Sequence, residues 1–144
     1  MDSEYTGKFL NTVGLAATPR REDPQTVLHA VYDAIIRGDF TAFGDMLAED
    51  VAMQITGFGP MDGAWSGRDN VVAATRKNFS LVASQKPEVE SMICEGNCAA
   101  VLLRETGVFK PKGEIYSVRA VQWFTIAGGK ISRIDQIVAS KGQE

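Results

Sequence analysis

One histidine, His29, and two cysteines, Cys94 and Cys98, are all the histidine and cysteine ligands this sequence offers a zinc ion. A zinc site wants three or four such ligands, so no metal is expected, and no cofactor either. The cysteines flank Glu95-Gly96-Asn97. If that triplet is a hairpin loop the thiols could face each other and bond; free buried thiols are the plainer alternative. Basic residues are also short: 15 Lys and Arg stand against 18 Asp and Glu, for a formal net charge of −3. A nucleic-acid partner usually needs a basic face, and none is expected. No apolar run approaches the roughly 18 residues of a membrane span, so no membrane partner is expected. The opening MDSEYTGKFLN is polar and partly acidic, unlike a secretory signal, which makes cytoplasmic the default location. Repeats and low-complexity stretches are absent, and no proline falls between Gly113 and Ser140.

At 144 residues and 44% hydrophobic, the chain suits a single domain with a proper core. Residues 1–23 read as an arm, flexible or a lid, because Gly7, Gly14 and Pro19 punctuate Phe9, Leu10, Val13 and Leu15. The single domain then covers 24–144. Asp23-Pro24 predicts a helix start, with Leu28, Val31, Tyr32, Ile35 and Ile36 on one apolar face and Gly38 at the end. Asp39 caps a shorter helix in which Phe40, Phe43 and Leu47 recur, and Val51 to Thr56 reads as a strand. Gly57 to Gly67 is a glycine-rich loop whose Phe58, Met61 and Trp65 must pack somewhere. A second long helix is expected from Asp69 to Val82, with Val71, Val72, Thr75 and Phe79 inward.

Strands are predicted at Val89–Glu95 and Ala99–Phe109, followed by a hairpin. Its arms, Ile115–Ile126 and Ile131–Ser140, are rich in β-branched and aromatic residues and are joined through Ala127-Gly128-Gly129-Lys130. A ladder needs every N–H, so two proline-free arms belong at the centre of an antiparallel sheet. Segregated helices and strands make the fold class α+β. About three helices against one face of a curved antiparallel sheet give a cone with an interior cavity.

Several segments carry a resemblance. They are Tyr32-Asp33-Ala34-Ile35-Ile36-Arg37-Gly38-Asp39-Phe40, Leu47-Ala48-Glu49-Asp50-Val51, Trp65-Ser66-Gly67-Arg68-Asp69 and Gly129-Lys130-Ile131. Over roughly residues 24–140 the chain resembles the nuclear transport factor 2-like superfamily. Within it stand ketosteroid isomerases, limonene epoxide hydrolases and SnoaL-like polyketide cyclases. The fold hosts unrelated functions, so the polar residues entering the cone must carry the chemistry.

The resemblance implies an oxyanion-hole role for Tyr32, which also fits a core tyrosine. The isomerases' catalytic aspartate falls on Ile55 and their second acid on Gln122. Isoleucine cannot shuttle a proton, so standard steroid isomerisation is not expected. Arg104 matches the epoxide hydrolases' arginine, whereas their aspartates fall on Thr106 and Gln136. Asp135, the nearest acid and the one a SnoaL-type cyclase would use, enters the cone only if a bulge shifts its register; otherwise it shares the outer face with Ile131 and Arg133. Glu105, alternating with Arg104 and Thr106, should point outward, and His29 reads as helix surface.

The expected cavity is thus Val51, Met53, Ile55, Phe79, Leu102, Val118, Phe124 and Trp65, with Tyr32, Arg104, Thr106, Gln122 and either Gln136 or Asp135 as its polar groups. It suits a small hydrophobic molecule bearing a carbonyl, carboxylate or hydroxyl, with Arg104 favouring an anionic group. The alternatives are an isomerase, lyase or hydrolase using Asp135 with Tyr32 and Arg104, and a dimeric interaction module with no active pocket. Along Ile115–Ile126, turning Gln122 inward turns Val121 and Trp123 outward. That apolar patch, with the family habit, predicts a homodimer through the outer sheet face.

Overall fold

The computed structural model describes residues 23–140, with the side chains of 23–139. The arm expected at 1–23 lies outside the described residues except for Asp23. Helix α1 spans Pro24–Ile36, opened by Asp23 and by proline at a position whose N–H has no helical partner. It buries Val27, Leu28, Val31 and Ala34. Gly38 ends it at φ 72°, and the amides of Gly38 and Asp39 return to the carbonyls of Ile35 and Ala34. The Asp39 side chain then accepts from the Ala42 amide, starting helix α2, Phe40–Asp45.

The short helix stops before Leu47, which opens strand β1, Leu47–Thr56, instead of closing the helix. The glycine-rich loop contains a further short strand, β2, Gly63–Ser66, antiparallel to β1. The loop is pinned rather than slack. The Asp62 carboxylate accepts from the amides of Gly57 and Phe58, while Phe58 and Met61 are buried. Helix α3, Arg68–Ser80, lays Val71 and Ala74 on the core. Strand β3, Val82–Glu95, begins seven residues before the expected Val89. Its Pro87 argues against a central strand, and the strand lies at the sheet's edge, where a missing N–H is tolerated.

Strands β4, Cys98–Phe109, β5, Ile115–Ala127, and β6, Lys130–Ser140, complete a six-stranded curved sheet in the order β2-β1-β6-β5-β4-β3. The expected hairpin therefore occupies the sheet interior, with β6 parallel to β1 and the other pairings antiparallel. The sheet is not closed on itself, and the three helices pack inside its curve as an α+β cone. Gly128 and Gly129, at φ 59° and 77°, make the two-residue turn between β5 and β6. At the β3–β4 turn Cys94 stands opposite Ala99, and Cys98 opposite Glu95; both thiols are free. A two-residue turn puts the cysteines out of register, so they do not bond.

Candidate functional site

The inner face of β5 is set by alternation: Tyr116, Val118, Ala120 and Phe124 are buried, and Gln122 shares their face. Directly opposed residues of antiparallel strands lie on one face, so the pairing of β5 with β4 dictates what β4 turns inward. Gln122 opposes Val101, Ala120 opposes Leu103, and Val118 opposes Glu105. Val101, Leu103 and Glu105 are accordingly buried. This reverses the expected register of β4. Arg104, Thr106 and Leu102 belong to the outer face, and Glu105 enters the cone. The run Val101-Leu102-Leu103 is apolar throughout, so alternation within β4 alone does not reveal the phase. The exposed Arg104 pairs with Glu90 at 3.2 Å, and Glu90 also holds Arg119 at 2.6 Å. Arg104 and Arg119 oppose each other across β4 and β5, so Glu90 relieves a like-charge contact.

On β6 the outcome turns on a bulge. Ile131 is fully buried, contrary to its expected outer position. Simple alternation from Ile131 would carry Asp135 inward. However, Thr125 pairs with Arg133 and Ile126 with Ile131, leaving Ser132 as an extra residue. That residue reverses the phase, so Ile134, Gln136 and Val138 face in. Asp135 faces out and takes a bidentate pair from Arg133 at 2.8 and 3.0 Å.

Beneath the helices is a cavity of about 130 Å³. Met53, Ile55, Phe79 and Phe124 line it as expected, joined by Phe43, Phe58, Met61 and Leu103. Val51 and Val118 are core residues beside it, and Trp65 packs on the edge over Gly63; none of the three is in its wall. Ile36, 47% exposed, carries the lining to the surface.

Besides Thr75 and Asn78, two hydrogen-bonded polar clusters stand in this wall. In the first, Tyr32 Oη donates to Gln122 Oε1 at 2.5 Å and Gln122 Nε2 donates to Gln136 Oε1 at 2.7 Å. The relay leaves the Gln136 amide N–H groups as the donors at its end. In the second, Glu105 Oε2 accepts from Tyr116 Oη at 2.6 Å and from Gln85 Nε2 at 3.0 Å. Gly107 makes this contact feasible. It opposes Tyr116, and a Cβ there would stand 2.5 Å from the Tyr116 hydroxyl. Neither Glu105 nor Gln85 is anticipated by sequence reasoning. The available signal is Gly107 on the inner face, a gap that a large neighbour on β5 can cover. No Lys, Arg or His lines the cavity among the described residues.

Burial, the Glu105 hydrogen bond and the Glu105 charge all push the Tyr116 phenol above its ordinary range. Burial, then the Asp23 charge, pushes the Cys94 thiol up to about 11. Half-buried His29 has its pKa lowered, chiefly by desolvation. The first two shifts have a common consequence. Above the unfolded values of about 8.5 for Cys and 10 for Tyr, the unfolded chain releases protons that the folded chain keeps. Stability should therefore fall as pH rises from about 9, with the Cys94 contribution spread between 9 and about 11. Urea titrations at pH 8, 9.5 and 11 test this. Cys94→Ala should flatten the drop between 8 and 11, and an unchanged slope would refute the assignment to Cys94.

The chain's likeness to known proteins can be set against this geometry. A family model described as a SnoaL-like domain matches residues 28–134. Among solved structures, an NTF2-like protein of unknown function from Burkholderia pseudomallei shares 20% identity. The alignment covers 82% of this chain and 90% of that one, with a TM-score of 0.71. An NTF2-like protein from Burkholderia xenovorans gives 21%, 85%, 93% and 0.70 for the same quantities. A protein of ketosteroid isomerase-like fold from Catenulispora acidiphila, in complex with trimethylamine, gives 13%, 79%, 85% and 0.68. No curated protein matches the sequence. The family match spans well over half of the chain and the cone agrees with it: this protein belongs to the SnoaL-like domain family and has the fold of its NTF2-like neighbours.

Proposed function

We propose that the protein binds a small, mainly apolar molecule carrying a carbonyl or hydroxyl group in the interior cavity. The observation that carries this reading is the relay Tyr32–Gln122–Gln136, which ends in amide donors within a mainly aromatic and aliphatic wall. Oriented donors in a desolvated site discriminate strongly for a ligand acceptor. Size narrows the class. Ligand pockets commonly measure roughly 300–1,000 Å³, and a cavity near 150 Å³ accepts benzene. A cavity of about 130 Å³ therefore suits one ring with a short substituent, not a steroid. A neighbour of the same fold in complex with trimethylamine supports small-molecule binding. The anionic ligand expected from Arg104 loses its basis, because the cavity's charged group is the carboxyl of Glu105. An acid–base role for Asp135 finds no support while Arg133 holds it on the outer face.

Thermal-shift titrations with acetophenone and cyclohexanone test the reading. Dose-dependent stabilisation of the wild type is expected. Gln136→Leu should weaken binding about fivefold, since one hydrogen bond contributes about 1 kcal/mol. Equal affinity in both proteins would remove the relay from recognition, and no shift at millimolar concentration would remove the cavity.

The outer sheet face supports a second reading, self-association. Val121 and Ile137 oppose each other there, Trp123 is 44% exposed and Ile137 63%. The surrounding ion pairs, Arg104–Glu90–Arg119 and Arg133–Asp135, carry both signs, as a face meeting its own copy about a two-fold axis requires. Sedimentation should show a dimer that Trp123→Asp converts to monomer; a monomeric wild type at tens of micromolar excludes this interface.

A further inference from the structure

The relay is one end of the cavity wall, and the other end has a different chemistry. Glu105 is 8% exposed and lines the cavity, and both of its hydrogen bonds fall on Oε2. Its Oε1 accepts none from the described residues. Gln85, in the same wall, spends its amide N–H on Glu105 and leaves its own Oε1 buried without a partner. Two hydrogen-bonded side chains of the wall thus each keep an acceptor that their neutral donors leave unsatisfied.

Buried carboxylates are normally paired with a cation, because hydrogen bonds from neutral donors leave the charge itself uncompensated. The nearest arginine in sequence, Arg104, is on the opposite face and committed to Glu90. Beside Glu105 lies an aromatic group. The Phe58 and Tyr116 ring centroids are 5.5 Å apart, those of Phe109 and Tyr116 4.7 Å, and Phe58 is in the cavity wall. Aromatic faces attract cations, and they do so most where water is excluded.

We propose that the Glu105 end of the cavity is a subsite for a protonated primary or secondary amine. The ammonium would donate to Glu105 Oε1 and to Gln85 Oε1, supplying the missing charge and both missing donors at once. The inference rests on the cavity being a binding site and deepens that reading. It also predicts polarity in the ligand. Glu105 is four residues along β4 from the partner of Gln122, roughly 13 Å at the rise of a strand. An amine at one end and an oxygen acceptor at the other would meet both groups. The requirement for N–H donors separates this subsite from one built for quaternary ammonium, which aromatic faces alone can hold.

The test is a calorimetric titration at pH 7 with benzylamine, benzyl alcohol, benzoate and benzyltrimethylammonium, on the wild type, Glu105→Gln and Gln85→Leu. One ring is common to all four probes, so differences among them report the subsite and binding of benzyl alcohol reports the cavity. In the wild type, benzylamine should bind at least tenfold more tightly than benzyl alcohol and than the quaternary analogue, with benzoate weakest. Glu105→Gln keeps an acceptor for Tyr116 and should lose the amine preference while keeping benzyl alcohol. Benzylamine within threefold of benzyl alcohol, or benzoate the tighter ligand, overturns the subsite and leaves the cavity reading standing. If none of the probes binds, both readings fall. The ranking in the wild type decides the matter even if a variant does not fold.

Discussion

Gly57→Ala is expected to lower stability by about 2–5 kcal/mol, more than any other single methyl added to the loop. Gly57 sits at φ 90°, and a Cβ there would lie 2.3 Å from the carbonyl oxygen of Val138. The left-handed region costs a side chain about 1–2 kcal/mol, and overpacking typically adds about 1–3 kcal/mol. Relief is blocked because the obstacle is backbone: Val138 belongs to β6, whose ladders with β1 and β5 run on both sides of it. Gly59 is the internal control, with φ 76° and nothing within 4 Å of its Cβ position. Gly59→Ala should therefore show the conformational cost alone. Urea unfolding of the two variants measures the difference, and equal losses would mean the Gly57–Val138 approach carries no energy.

Phe43→Ala should be comparably severe and should change what the protein holds. Phe43 is 1% exposed and is the largest of the fully buried side chains. Truncating a buried phenylalanine costs about 3–5 kcal/mol, part of it from the space left behind. For a domain of this length, each kcal/mol shifts Tm by about 4 °C, so a fall of about 12–20 °C is expected. Because Phe43 lies in the cavity wall, the void adds to the existing 130 Å³. Two-ring probes such as 2-naphthol should then bind the variant and not the wild type. A Tm loss under about 4 °C with unaltered probe size would mean that α2 collapses into the space.

The site was legible in proportion to how locally its geometry is set. Tyr32 faces inward by the spacing of α1, whereas Gln122 is set inward by the family resemblance, and alternation along β5 then carries Val118, Ala120 and Phe124 with it. On β6 the sequence leaves Gln136 and Asp135 as alternatives, and the bulge at Ser132, which lets both Ile131 and Gln136 face in, decides between them. Arg104 and Glu105 were exchanged, because Val101-Leu102-Leu103 offers no alternation and the phase of β4 comes from its pairing with β5.

The sequence by itself determined the segment types, the central hairpin and the class of fold, because helical spacing, glycine turns and proline-free strands are local properties of the chain. It likewise determined that both an apolar cavity and an apolar outer face are available on β5. Only the tertiary structure decided the character of the cavity: a carboxyl group inside, the arginine outside, and Asp135 turned away. Those three outcomes each depend on a one-residue choice of register. Register follows from which strand pairs with which and where an extra residue is inserted, and each such choice carries every side chain of the strand to the other face.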